Sequence, residues 1–428
     1  MRLPPGPKEP AALQTVEWIA RPTAFLRRCE ARYGDPFTIR VGWMDAPTVL
    51  VSDPEQIRRI FTAVPVELQG GSSSTVLEPF AGPSSILVLD GAEHLRGRRL
   101  LLPPFHGEAL ARWRDTIVQL AHAELDRWVP GAPLRAHARM RALTLDVIVR
   151  VVLGPGERPQ LRAAIRRALD MTTSLPRLVA MSLSRRTWSP FLRAVGDLDA
   201  QLYEAIDGDV PDGSLLAVLR AAREDGAPPS RRELRDQLVT VLAAGHETTA
   251  ASLAWALERL AHHPAALARM RAPEEDYLEA VVKEVLRVRP VLSIAARKVA
   301  APFELGGWTL PAGVHVAPCI YLAHRRPQAW PDPTAFRPER FLGAAPEPYT
   351  YLPFGGGVRR CAGAAFATLE MKEVLRAVAQ RFALRPPGRA TERMRRGSVT
   401  LMPARGAIVV PEALQPVQTC RSSAVTTA

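Results

Sequence analysis

The chain has 428 residues, 47% of them hydrophobic, and a formal net charge of +13 from 56 basic and 43 acidic side chains. That apolar content supports a large core and excludes an intrinsically disordered chain, and no apolar run is long enough to cross a bilayer. The positive charge is dispersed arginine without the basic stripe or recognised module of a nucleic-acid binder, so nucleic acid is excluded as a partner and an acidic protein is not.

The opening "MRLPPGPKEPAAL" places prolines where a signal peptide needs an unbroken apolar stretch, which points to a soluble cytoplasmic protein. "FTIRVG" (37–42) and "TVLVSD" (48–53) alternate around a turn at Asp45–Pro47 and predict a hairpin. Val66 to Asp90 contains "GGSSS" and lacks helical period, so it reads as a long loop of the kind that usually carries function. Helical stretches follow near 92–101, 108–128, 138–153, 158–180 and 190–207.

Ser230 and Glu233 form a capping box that opens the strongest helix, whose leucines keep helical spacing from Leu234 to Leu260 and stop at His263–Pro264. Another helix spans about 274–289, and "FELGGWTL" reads as a Gly-Gly hairpin. Prolines crowd the stretch from Pro311 to Pro353 and predict ordered turns, before a last helix from about Ala364 to Phe382. The fold class is mainly α with a minor β region. One domain over 1–412 is expected, with a loose polar tail at 413–428.

Four cysteines, Cys29, Cys319, Cys361 and Cys420, are scattered without a CxxC pair or zinc spacing, so disulfides are not needed. Cys361 alone has a marked setting, "LPFGGGVRRCAGAAF". Two arginines and a helix start beside it favour a thiolate, which is either a metal ligand or a nucleophile. A nucleophile would need a histidine and an orienting partner that the motif does not provide.

Within the strongest helix, "AAGHETTAAS" (243–252) puts a glycine and two threonines where helix formers are expected. Thr248 can bond back to the carbonyl of Ala244 and bend the helix, or the segment is a soft spot facing the core. "HETT" does not complete a zinc-hydrolase motif, because the second histidine position is Ala250. "EVLR" sets Glu284 and Arg287 one turn apart, and "FRPERF" adds Arg340.

In this order, AGxET, ExxR, a PERF-type stretch and FxxGxRxCxG resemble the cytochrome P450 family, with Phe354, Gly357, Arg359, Cys361 and Gly363 at every fixed place of the last pattern. The resemblance runs from about Pro4 to Pro411 and implies a P450-like fold with a long central helix over the haem. It makes Cys361 the thiolate ligand of the iron of haem b (iron protoporphyrin IX), with Phe354 beside it keeping water away. His94, Arg98, Arg297 and Arg359 match the family's propionate-binding positions. Glu247 and Thr248 match its proton-delivering acid–alcohol pair, with the helix opened at Ala244–Gly245 to make room for oxygen. Glu284, Arg287 and Arg340 match a buried charge triad that supports the haem loop. Arg326 stands where many relatives have aspartate, which puts a local contact in question.

The implied activity is a haem-thiolate monooxygenase using O₂ on an apolar small molecule: a fatty acid, alkane or terpene. The start of the chain and "HLRGRRLLLPPFHGE" are similar to a bacterial group associated with those compounds. The length leaves no room for a fused flavin reductase, so a ferredoxin and ferredoxin reductase are the expected electron donors to a monomer. Arg360 and Arg99 are the expected basic docking face. The pocket walls expected are the 66–90 loop, 171–190, Ala243–Ala244, 291–295 and 398–401, mostly small or aliphatic. A peroxide-driven peroxygenase and a non-catalytic haem sensor are the alternatives; the Glu247–Thr248 pair speaks against both.

Overall fold

The computed structural model describes residues 2–42, 44–173, 188–223, 227–343, 345–397 and 399–414. The tail from 415 onward with Cys420, most of the 171–190 wall, and Ser398 lie outside the described residues.

The central element is the helix Arg231–His262, about 48 Å long at 1.5 Å per residue. Its capping box is formed: the Ser230 hydroxyl accepts from the Glu233 amide, and the Glu233 carboxylate accepts from the Ser230 amide. Most of its residues are buried on every side, including Trp255 and Leu257, so it can only be the middle of a helical body. It packs against Ala136–Leu153, Ala364–Arg381, Ser189–Asp207 and Glu275–Val288. Gly245 sits at the first and most extensive of these contacts. A Cβ there would lie 3.0 Å from Ile148 on Ala136–Leu153.

The predicted helices from Gly91 to Asp207 are present, although the one beginning at Pro159 is described only to Thr173. The sequence reading missed helices at Ala11–Ala20, Pro22–Tyr33, Pro54–Thr62 and Leu215–Ala221. The 66–90 segment is also less irregular than expected, with a strand at Leu68–Gln69, a 3₁₀ turn at Thr75–Leu77 and a short helix at Glu78–Ala81.

The β region is small. Phe37–Ile39 pairs antiparallel with Thr48–Val51, as the alternation predicts, and that strand runs parallel to His315–Pro318. Arg297–Val299 and Leu68–Gln69 complete this five-stranded sheet. The Gly306–Gly307 hairpin joins Phe303–Leu305 to Trp308–Leu310, both glycines having positive φ. A second sheet pairs Ile408–Ala413 with Leu134–Arg135 and Phe382–Arg385. Among the described residues no helix is long and apolar enough to cross a membrane.

Candidate active site

The loop before Ala364–Arg381 is shaped by glycines. Gly355 and Gly357 have φ of 66° and 64°, which L side chains rarely adopt. Gly356 and Gly357 lie against Phe61, where a Cβ would come within 2.5 Å of the ring and 2.3 Å of the carbonyl oxygen, respectively. The chain thus passes flat over the Pro54–Thr62 helix. It closes when the Cys361 amide donates to the Phe354 carbonyl at 2.9 Å. Cys361 is accessible although protein surrounds it, so its thiol can meet a bound group.

Burial pushes the Cys361 thiol above its ordinary value, and the Gly363 amide, Arg98 and Arg360 only partly oppose it. The arginines alone therefore do not make the thiolate that the sequence suggests. A metal ion coordinated there would deprotonate the thiol and supply the difference.

Four nitrogen side chains gather beside this loop. His94 is buried on Gly91–Leu101, and burial, Arg359, Arg98 and Arg297 bring its pKa down to about 4, so it is neutral and acts as a hydrogen-bonding group. Arg98, one turn on, donates to the Arg360 carbonyl at 2.6 Å. Arg359 pairs with Asp90 at 2.7 Å and donates to the Ile86 carbonyl at 3.1 Å. Gly70 makes room for it, since a Cβ there would meet the Arg359 side chain at 2.4 Å.

Arg297 is half-buried and donates to the Ala296 carbonyl at 2.8 Å, with no carboxylate partner among the described residues. Burial and Arg359 bring its pKa to about 10. Three arginines around one aspartate and a neutral histidine leave positive charge in excess. That is the complement of a ligand with two carboxylates, so the donor set fits haem and its propionates.

Behind the loop, Glu284 and Arg287 are fully buried and joined by two bonds of 2.6 and 2.8 Å. Arg340 Nε stands 3.5 Å from Glu284, and Arg287 also donates to the carbonyls of His324, Pro333 and Ala335. The expected triad is thus assembled. Arg326 finds its own partners, Asp35 at 3.0 Å and Asp53 at 3.4 Å, so the departure from aspartate has local compensation.

On the central helix, buried residues give way to accessible ones only at Ala243, Ala244, Gly245 and Thr248 within the span from Leu234 to Ala261. Thr248 donates to the Ala244 carbonyl at 2.6 Å, as predicted, yet the helix runs on unbroken. Gly245 lies against Ile148, so the absence of a side chain there serves the packing of the two helices.

Glu247 is turned toward Ala136–Leu153, where its carboxylate lies 2.8 Å from Arg141 and 3.2 Å from His137. Burial raises the carboxyl, but His137 and Arg141 outweigh it and hold it below its ordinary value. Arg141 pairs in turn with Asp170 at 2.8 Å, an exposed residue. The neighbouring His246 is buried against Thr144 at 3.0 Å, with its pKa lowered to about 4 by burial.

Sequence reasoning missed His137, Arg141, Asp90 and His324. His137 and Arg141 share a helix face at i,i+4 spacing, but nothing local points to Glu247 as their partner.

An accessible cysteine on a glycine-shaped loop, beside cations in excess, in a fold built on a long central helix, is the arrangement of a haem-thiolate protein. The family model for cytochrome P450 matches residues 4–410. The chain is 39% identical to cytochrome P450 135B1 of Mycobacterium tuberculosis over an aligned 430 residues, covering 95% of this chain and 91% of that one. It is 40% identical to cytochrome P450 135A1 of the same organism over 403, covering 90% of each. Among solved structures, retinoic acid-bound cyanobacterial CYP120A1 superposes with a TM-score of 0.85 at 26% identity, covering 96% of this chain and all of that one. The chain belongs to the cytochrome P450 family: it is a P450 monooxygenase that binds haem b.

Proposed function

We propose that the enzyme oxidises an apolar small molecule, a fatty acid, alkane or terpene-like compound, with electrons from a separate ferredoxin and its reductase. The observation that carries this reading is the accessible alanine stripe at Ala243–Ala244 on an otherwise buried helix. The partly accessible Leu292, Ile294 and Ala295 extend the apolar wall expected around the cleft. The similarity to a protein bound to retinoic acid, an isoprenoid acid, supports the same class.

In this proposal residues 1–412 form one catalytic domain, working as a cytoplasmic monomer. Cys361 ligates the iron, Phe354 shields the sulfur, and His94, Arg98, Arg297 and Arg359 hold the propionates. When bound, haem b supplies the iron at which dioxygen is reduced and one oxygen atom is transferred to the substrate. Thr248 keeps acceptor capacity on its hydroxyl oxygen and holds a proton at the cleft. Glu247, through Arg141 and exposed Asp170, links that position to solvent.

A ligand screen by difference absorbance of the haem protein tests the substrate class. Fatty acids, alkanes and terpenoids should displace water and shift the spectrum toward the high-spin form. Shifts confined to polar or cationic compounds would overturn the assignment. Turnover with NADH and surrogate ferredoxin and reductase, without added peroxide, distinguishes the monooxygenase from a peroxygenase.

A further inference from the structure

His324 lies outside the charge triad but touches both the triad and the cysteine loop. Its ring is fully buried and stacks on Tyr351, with centroids 5.5 Å apart and an interplanar angle of 22°. The amide of Leu352 points at Nε2 from 2.7 Å. A backbone N–H can only donate, so Nε2 is the acceptor and carries no proton. The carbonyl of Arg287 lies 3.2 Å from Nδ1 and can only accept, so Nδ1 holds the proton. One tautomer of the neutral ring therefore satisfies both bonds, and the imidazolium satisfies only one. Burial, with Arg325 and Arg287 nearby, brings its pKa down to about 3 and keeps that neutral form at any working pH.

The bonds continue on the loop side. The Leu352 carbonyl accepts from Gly355 at 3.0 Å, and the Phe354 carbonyl accepts from Cys361 at 2.9 Å. On the other side, Arg287 Nη1 donates to the carbonyl of His324 itself at 3.0 Å, so ring and backbone are both tied to the same arginine. The three bonds at His324 are buried, which is where hydrogen-bonded chains stiffen one another.

We propose that His324 is a positioning residue for the haem thiolate: its ring couples the Arg287 carbonyl to the Leu352 amide and fixes the entry of the loop that presents Cys361. The triad holds the helix and the proline-rich turns. His324 transmits that rigidity to the sulfur. The inference rests on the assignment of Cys361 as the iron ligand.

Three variants of the haem-loaded protein test it. His324→Gln can reach Leu352 with its carbonyl oxygen and still offer an N–H, whereas His324→Asn is too short to reach the amide. His324→Phe keeps the ring and loses both bonds. The measurements are the rate of haem transfer to excess apomyoglobin and the fraction of the ferrous carbon monoxide complex absorbing at the thiolate position.

His324→Asn and His324→Phe should weaken haem retention by ~10–100-fold, the range for lost outer-shell support of a metal site, and lose part of the thiolate band. His324→Gln should stay within about threefold of wild type, since it keeps the bond to Leu352. Should His324→Phe not accumulate, the Gln and Asn variants carry the comparison. Equal retention and an intact band in Asn and Gln would overturn the proposal, and so would equal losses in both. Loss of the band in Cys361→Ser, with a normal band in all three His324 variants, would leave the ligand assignment standing and remove His324 from it.

Discussion

The Oε2 atom of Glu247, on the central helix, lies 2.8 Å from Nε of Arg141 on the helix Ala136–Leu153. This buried pair ties the two most extensively packed helices together at the turn that carries Thr248. Arg141→Met would leave the carboxylate with the His137 ring as its remaining close partner, destabilising the protein by about 3 kcal/mol at pH 7. The Glu247 carboxyl is held below its ordinary value, so its contribution is complete above the unfolded-state value of 4.5 and fades as pH falls through the folded value. Denaturant midpoints of wild type and variant should therefore converge below pH 4.5. A gap that stays constant from pH 7 into that range would contradict the ion pair's role.

Cys361→Ala removes the sulfur from the cleft while leaving the glycine-shaped loop. The reduced, carbon monoxide-bound variant should lose the long-wavelength band of thiolate-ligated haem and most of its haem content. Persistence of that band would show that another residue ligates the iron.

Thr248→Ala deletes a hydroxyl that, among the described residues, bonds only to Ala244 within its own helix, so fold and haem binding should be unchanged. With the proton at the cleft less well placed, electrons should be diverted into hydrogen peroxide. Peroxide formed per NADH consumed should rise several-fold, against the 10²–10⁴-fold that a positioned proton donor can contribute. Unchanged coupling would remove Thr248 from proton delivery.

Arg360 is exposed next to the cysteine, while Arg98 grips its backbone carbonyl and leaves the guanidinium to face outward. Arg360→Glu should slow reduction by an acidic ferredoxin and flatten the salt dependence of that rate, since steering acts over a Debye length of about 10 Å at 0.1 M. Reduction by dithionite should change much less. Identical ferredoxin rates across a salt series would eliminate this docking face.

Gly357→Ala asks an L residue to hold φ 64° with its Cβ 2.3 Å from the Phe61 carbonyl oxygen. The conformation alone costs ~1–2 kcal/mol, and the backbone contact forces the loop to shift. Thermal stability of the haem protein and its thiolate band should both fall. A variant matching wild type in both would mean that the loop has an alternative path.

The site was readable where its chemistry is local in sequence. The loop around Cys361, the Ser230 capping box and the bond from Thr248 to Ala244 all follow from spacings of ten residues or fewer. Ala11–Ala20 was hidden by the prolines that precede it, and Pro54–Thr62 by its place directly after a strand, although Asp53 caps that helix in the ordinary way. Gly245 shows a different limit: a glycine in a helix signals a close neighbour without naming it, and that neighbour is Ile148. Partners such as Arg141 for Glu247, and Asp35 and Asp53 for Arg326, depend on tertiary contact, and single-residue patterns do not encode it.

The wall between Gln69 and Asp90 is fastened unevenly. At one end Ser72 is bonded to Asp90 and Ser73 to the Ala296 carbonyl. At the other, Ser84 and Ser85 are bonded to Asp236, Gln237 and Thr240 of the central helix, and Gly82 fits only because it has no Cβ to strike Asp236. Between these anchors the backbone bonds are local, Leu77 to Ser74, Glu78 to Thr75 and Gly82 to Glu78, while Phe80 packs on Phe191 and Ala81 is buried. Adaptation to ligands of different bulk should therefore fall first on residues 75–79, mostly exposed, which can tilt while the frame on either side stays still. Amide hydrogens of 75–81 should exchange well before those of 84–90, and bound substrate should slow the first set without altering the second.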